Sequence, residues 1–208
     1  MENRLCDIYD RFAATYDANR GLFDMTGILE DFYSRLGGKK GRLLDLGCGA
    51  GEPFARFFAD RGWQVTGVDF SAKMLELAAR YVPAMETRLA DMRDVEFAAG
   101  RFEAITAIYC LFHVPRADHA ALFERWRRWL RPGGKALFTY ATKAYTGSDE
   151  FDGTKRFMGE DLYYSHKRPE ALYADLERIG FAIETKECRE IGGETFLWVT
   201  IANPLGPA

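Results

Sequence analysis

The stretch LLDLGCGAGEP, residues 43–53, decides how this sequence folds. Leu43, Leu44 and Leu46 read as a short buried strand, which runs straight into Gly47, Gly49 and Gly51, each separated by one other residue. Glycine lets a turn take positive φ and removes the Cβ that would hold a ligand away from the backbone. PFARFFADRG follows as a helix, with Pro53 near its first position and Gly62 at its end. Strand, glycine-rich turn and helix open a parallel α/β sheet, in which ligands bind beyond the carboxyl ends of the strands. Taken alone, such a turn is equally a tight connection that binds nothing.

Working outward, the alternation continues. QVTGVDF is a strand, and Ser71 caps the helix AKMLELAARYV, which stops before Pro83. ETRLAD and FEAITAIY read as strands, residues 117–130 as a helix ending before RPGG, and KALFTYA as a fifth strand. Periodicity is lost from Thr142 to His166. Pro169 opens a helix that runs to Gly180, and FAIETKECRE and ETFLWVTIA form a hairpin around Gly192-Gly193. Upstream, Leu5, Ile8, Phe12 and Tyr16 stand at near-helical spacing before a turn at Gly21, and residues 27–36 form a second helix. The NPLGPA tail is expected to fray.

The 208 residues are enough for one sizeable core, and a composition 48% apolar and 28% charged is that of a globular protein. A net charge of −3 offers no global attraction for nucleic acid or an anionic membrane. Cys6, Cys48, Cys110 and Cys188 show no metal spacing and read as reduced thiols. MENRLCDIYDRF lacks the apolar core of a signal peptide, and no apolar run approaches the roughly 20 residues of a membrane span. The expectation is a cytoplasmic protein without a membrane partner.

Two further acids lie at strand ends. Asp69 closes VTGVDFS, where a carboxylate can accept both ribose hydroxyls of a nucleoside, or cap the helix beginning near Ser71. Asp91, beside Met92 in RLADMRD, follows the third strand, and the pair can hydrogen-bond and cover an adenine. With these residues in place, LLDLGCGAGEP, VTGVDFS, LADMRD, FEAITAIYCLFHV and LRPGGKALFT resemble, in order, the motifs of the class I S-adenosylmethionine-dependent methyltransferases, small-molecule branch.

That resemblance implies a three-layer Rossmann-like α/β fold whose seven-stranded, mostly parallel sheet has the order 3-2-1-4-5-7-6, with strand 7 antiparallel. It implies one domain over 1–208: an N-terminal helical lid (1–38), a cofactor-binding core (39–141), a substrate-side insert (142–168), and a closing helix and hairpin (169–202). It also implies S-adenosyl-L-methionine as cofactor. Gly47, Cys48 and Gly49 would face its methionine moiety, and Asp45 would orient the turn or reach the ammonium through water. Asp69 would hold the ribose, Phe70 and Met74 would lie against the adenine, and Asp91 and Met92 would read it. Tyr109 would offer its backbone carbonyl, Tyr16 would contact the cofactor from the lid, and His113 would stand where acceptor and methyl group meet.

A dinucleotide turn uses GxGxxG to present a helix N-terminus to a pyrophosphate. Here the third glycine comes one residue early and Glu52 stands at the helix start, where it would repel phosphate but tolerate a sulfonium and an ammonium.

Other features read more plainly. In RWRRWLRPGGK, Leu122, Trp126, Trp129 and Leu130 share a helical face that buries, leaving the arginines to water rather than to nucleic acid. His119 reads as surface polar, and His166 as the neighbour of a helix cap or a substrate contact. His113 is a general base or a structural hydrogen-bonding group. The rings of Tyr9, Phe12, Tyr16, Phe23 and Phe32, and of Tyr140, Tyr145, Phe151, Phe157, Tyr163 and Tyr164, either wall an acceptor pocket or simply pack. No His, Asp and Glu set has metal spacing. The alternatives to a small-molecule methyltransferase are a nucleic-acid or protein methyltransferase, a non-catalytic cofactor-binding regulator, and an NAD-dependent oxidoreductase. Oligomeric state and methyl acceptor are open.

Overall fold

A computed structural model describes residues 2–18 and 24–205. The turn expected at Gly21, the ring of Phe23 and the last three tail residues lie outside the described residues. Seven strands form one sheet in the order β3-β2-β1-β4-β5-β9-β8, and β6 and β7 form a separate two-stranded sheet. The order is the one the resemblance implies, with β8 and β9 in the places of strands 6 and 7. The chain divides into two compact units, residues 1–96 and 97–208.

The first unit contains α1 (Glu2–Ala18), α2 (Thr26–Arg35), β1 (Arg42–Leu46), α3 (Phe54–Asp60), β2 (Gln64–Asp69), α4 (Ala72–Tyr81) and β3 (Glu86–Leu89). β1 pairs with β2 and β2 with β3, both parallel. Leu43, Leu44 and Leu46 have no exposed surface, as a strand covered on both faces requires. Phe58 sits at the centre of a ring cluster with Phe32, Tyr33, Phe57 and Trp63. Ser71 is the cap of α4, its hydroxyl accepting from the Met74 amide at 3.1 Å.

The second unit contains β4 (Phe102–Ala107), a single 3₁₀ turn (Leu111–His113), α5 (His119–Trp129) and β5 (Leu130–Tyr140). It continues with α6 (Lys143–Thr146), β6 (Phe151–Phe157), β7 (Glu160–His166), α7 (Pro169–Ile179), β8 (Ala182–Ile191) and β9 (Glu194–Ala202). β4 and β5 are parallel, whereas β9 runs antiparallel to both β5 and β8. Leu122, Trp126 and Trp129 of α5 are buried as their helical stripe demands.

Two boundaries differ from the sequence reading. RPGG does not separate α5 from the next strand, because β5 already starts at Leu130 and its register against β4 shifts between Phe102 and Ala104. The segment from Thr142 to His166 is not irregular: β6 and β7 pair from Phe151↔His166 to Phe157↔Glu160. Their turn is Met158-Gly159, with φ of 49° and 84°, the two positive values that a two-residue type I′ hairpin needs.

Candidate active site

The glycine turn leaves β1 and is tied at once to β2, since the Gly47 and Cys48 amides both donate to the Val68 carbonyl, at 2.8 and 3.1 Å. Gly47, Gly49 and Gly51 have φ of 64°, 51° and 81°. They serve different ends. A Cβ on Gly51 would come within 2.9 Å of Val82 Cγ2, so that glycine is needed for packing. A Cβ on Gly49 would meet nothing within 4 Å, so the absent side chain there leaves a cradle against bare backbone. Cys48 is buried, and a Cβ on Gly67 would lie 2.7 Å from its sulfur, so the thiol fills the side-chain gap of β2 and only its backbone belongs to the turn.

Asp69, at the end of β2, is 8% exposed and binds that turn directly. Its Oδ2 accepts from Gly49 N and its Oδ1 from Ser71 N, both at 2.8 Å. Burial pushes its carboxyl up to about 6, outweighing the backbone N–H bonds to Ser71, Gly49 and Phe70 that favour the charged form. An ionised carboxylate has more acceptor sites than these three bonds fill, which leaves capacity for a hydroxyl donor. The helix-cap role belongs to Ser71. Asp45 is 4% exposed, directly opposite Gly67 in the β1–β2 register.

The remaining first-unit candidates are arranged less simply. The Phe70 and Tyr9 rings meet edge to face with centroids 5.5 Å apart, and the Phe70 carbonyl accepts from Cys6 Sγ at 3.1 Å. Met74 is 5% exposed and packs with Ala13, Ala50 and Leu77, under Tyr9, Phe12 and Tyr16, so in this state it touches α1. Asp91 is gripped by Arg93, whose Nη2 lies 2.8 Å from Oδ2 and whose Nε lies 3.0 Å from Oδ1. Met92 beside it is buried. The Tyr16 hydroxyl donates to the Glu52 carbonyl at 3.0 Å, at the foot of the glycine turn.

Asp10 was not singled out in the sequence, yet it holds α1 on α4. Its Oδ1 accepts from Ser71 Oγ at 2.5 Å and from Lys73 N at 3.1 Å, adding to the cap of α4 from another helix. Tyr81 donates to Asp17 at the other end of the same contact. Phe32 is 1% exposed in the ring cluster around Phe58, so it packs the core.

In the second unit, Tyr109 has a φ of 54°, rare for a residue with a side chain, and its amide donates to Thr139 Oγ1 at 2.6 Å. His113 Nδ1 lies 2.7 Å from the Tyr163 carbonyl. A carbonyl only accepts, so Nδ1 carries the proton and Nε2 is the basic nitrogen of the neutral ring. Burial lowers its pKa to about 4.

The surface reading of His119 is overturned. The ring is 1% exposed, with Nε2 2.9 Å from the Val114 carbonyl and Nδ1 3.1 Å from Tyr140 Oη, which itself accepts from Lys167 N at 2.9 Å. His119 stands in the first turn of α5 but on its inward face, and burial brings it to about 4. His166 stands two residues before Arg168, the residue at the cap of α7, and is buried, with its Nε2 2.7 Å from Thr146 Oγ1. Among the described residues no group of three His, Cys, Asp or Glu is placed to hold a metal, and no helix is long and apolar enough to cross a membrane.

Residues 43–134 match the family described as Methyltransferase domain. The chain is 33% identical over 151 residues to a ubiquinone biosynthesis O-methyltransferase of Alkalilimnicola ehrlichii, covering 64% of this chain and 60% of that protein. It is 30% identical over 161 residues to phosphoethanolamine N-methyltransferase 1 of Triticum aestivum, covering 74% of this chain but 31% of that one. The chain thus spans less than two thirds of the length of either relative. Its fold is that of the Burkholderia thailandensis 1,6-didemethyltoxoflavin-N1-methyltransferase, with a TM-score of 0.72 at 18% identity over 98% of this chain and 90% of the other.

Proposed function

We propose that this chain is a class I S-adenosylmethionine-dependent methyltransferase that transfers the methyl group of S-adenosyl-L-methionine to a small-molecule acceptor, a reading supported by the match of residues 43–134 to the methyltransferase domain family and by its methyltransferase relatives. The observation that carries the reading is the open backbone at Gly49, bound to the buried carboxylate of Asp69 at the ends of β1 and β2. When bound, the cofactor would supply an electrophilic methyl carbon to an acceptor O, N, C or S atom, with S-adenosylhomocysteine as the leaving group.

The chain's own residues position and enclose. Asp69 offers its remaining acceptor capacity to a ribose hydroxyl while its bond to Gly49 fixes the turn. Asp91, held rigid by Arg93, and Met92 face the adenine side. Helix α1, seated through Asp10 and Tyr16, excludes water. Alignment of this kind supplies on the order of 7 kcal/mol or more of the barrier reduction. With Nδ1 committed to Tyr163, His113 receives a proton only at Nε2, and its low basicity suits an acceptor that enters neutral or already ionised. The relatives named above methylate oxygen and nitrogen, as their names say.

Titration calorimetry tests the reading. S-adenosylmethionine and S-adenosylhomocysteine should bind and NADH should not. Heat with NADH comparable to that with the sulfur nucleosides, or none with either of those, would overturn it.

A further inference from the structure

Tyr145 of α6, Lys155 of β6 and Glu194 at the start of β9 form a polar group that the methyl-transfer argument leaves unused. The Lys155 ammonium stands 3.4 Å from the centroid of the Tyr145 ring and donates to the Tyr145 carbonyl. The Glu194 carboxylate acts on both residues electrostatically, favouring the charged form of Lys155. The ring is fixed from behind, with Phe196 at 4.5 Å and Tyr164 at 5.4 Å between centroids, and the two phenol oxygens 3.2 Å apart.

Every group identified around this ammonium is electron-rich: an aromatic face, a carbonyl oxygen and a carboxylate. That combination selects an alkylammonium and disfavours an anion. The lysine is itself partly exposed on a strand without a single buried residue, so its stem has water to retreat into. We propose that this is a subsite for an alkylammonium group of the methyl acceptor, in which Lys155 stands as the chain's own occupant. The inference rests on the small-molecule methyltransferase reading and names a substrate class for it. An ammonium held in charged form has no lone pair, so this group is a recognition handle and the methylated atom is another one.

The alternative is that Lys155 only ties the hairpin to α6. The two are separated by titrating the full chain with n-butylammonium and, in parallel, butyrate. Lys155→Met keeps the stem and removes the competing cation, so butylammonium should bind about tenfold more tightly than to the unsubstituted protein, a gain of about 1.4 kcal/mol. Glu194→Gln or Tyr145→Leu in that background should abolish the gain. In the unsubstituted protein, the Lys155 ε-methylene resonance, shifted by the ring beneath it, should move to its solvent position as butylammonium saturates. Unchanged affinity in Lys155→Met, a preference for butyrate, or an unmoved ε-methylene resonance would overturn the proposal. S-adenosylhomocysteine titrations on the same samples keep the readings apart: loss of this site with cofactor binding intact leaves the transferase reading standing.

Discussion

The carboxyl of Asp69 makes cofactor binding depend on pH in a calculable way. Its hydrogen bonds to Gly49 and Ser71 and its proposed bond to a ribose hydroxyl all need an acceptor, which the ionised form provides. Burial raises the group from 3.8 to about 6. The folded apo protein therefore holds this proton more tightly than the unfolded chain does. Its stabilising contribution is fully present below pH 3.8 and is lost as pH rises through about 6, a swing of about 3 kcal/mol. Ligand binding runs in the opposite direction. A ligand that needs the ionised carboxylate binds about tenfold more weakly at pH 5 than at pH 7, because the ionised fraction falls by about that factor over that range. The histidines do not blur the window, since His113 and His119 titrate near 4 and His166 is also lowered by burial. Calorimetry with S-adenosylhomocysteine at a series of pH values measures the effect. Asp69→Asn keeps one acceptor oxygen for two amides, removes the charge and should flatten the profile. Its loss of a bond to a charged acceptor, about 1.5 to 3 kcal/mol, is offset above pH 6 by the burial penalty it relieves, so stability should change little. An affinity equal at pH 5 and pH 7, or the same slope in Asp69→Asn, would refute the assignment of Asp69 to the ribose.

Three further outcomes are expected. Gly49→Val should abolish S-adenosylhomocysteine binding in calorimetry while costing stability only the strain of a β-branched residue at φ 51°, about 1 to 3 kcal/mol by thermal melting; retained binding would show that the cradle is not used. His119→Ala should lower stability by about 1 to 3 kcal/mol in denaturant titration, because it leaves the buried Tyr140 hydroxyl without its acceptor, while the Val114 carbonyl keeps Ser165 Oγ. If α1 is a lid, its amides should exchange quickly in the apo protein and gain protection with S-adenosylhomocysteine; slow exchange without ligand would make it a fixed part of the core.

What the sequence disclosed was whatever carries a local physical signal. Strand β1, its glycines, Ser71 and the inward stripe of α5 are written in adjacent residues, and each appears where the pattern placed it. The β6–β7 hairpin was illegible because its turn is Met158-Gly159, without the Asn-Gly or Asp-Gly that usually announces a type I′ turn, and because β6 mixes Gly153 with charges. The start of β5 was hidden by RPGG, which reads as a terminator and here lies within a strand. At the site, carboxylates at strand ends were visible, but their companions were not. Asp10 reaches Ser71 across 61 positions and His119 reaches Tyr140 across 21, and nothing local in either residue marks such a partner. Arg93 stood two residues from Asp91 and was the one partner that spacing alone could have suggested.

The register of the small hairpin carries an architectural consequence. Phe151 faces His166, so the chain enters and leaves this excursion at neighbouring points. An excursion closed at its base behaves as a cassette, in which residues can be exchanged, added or removed while the entry and exit points of the scaffold stay fixed. One strand is the socket half of that cassette, with Leu162, Tyr164, Ser165 and His166 of β7 buried, and the other, β6, is the variable half, with no buried residue. A lineage needing to handle a new compound could therefore rewrite β6 and its turn while the glycine turn and the strand-end acids stay as they are, and an engineer could begin at the same place.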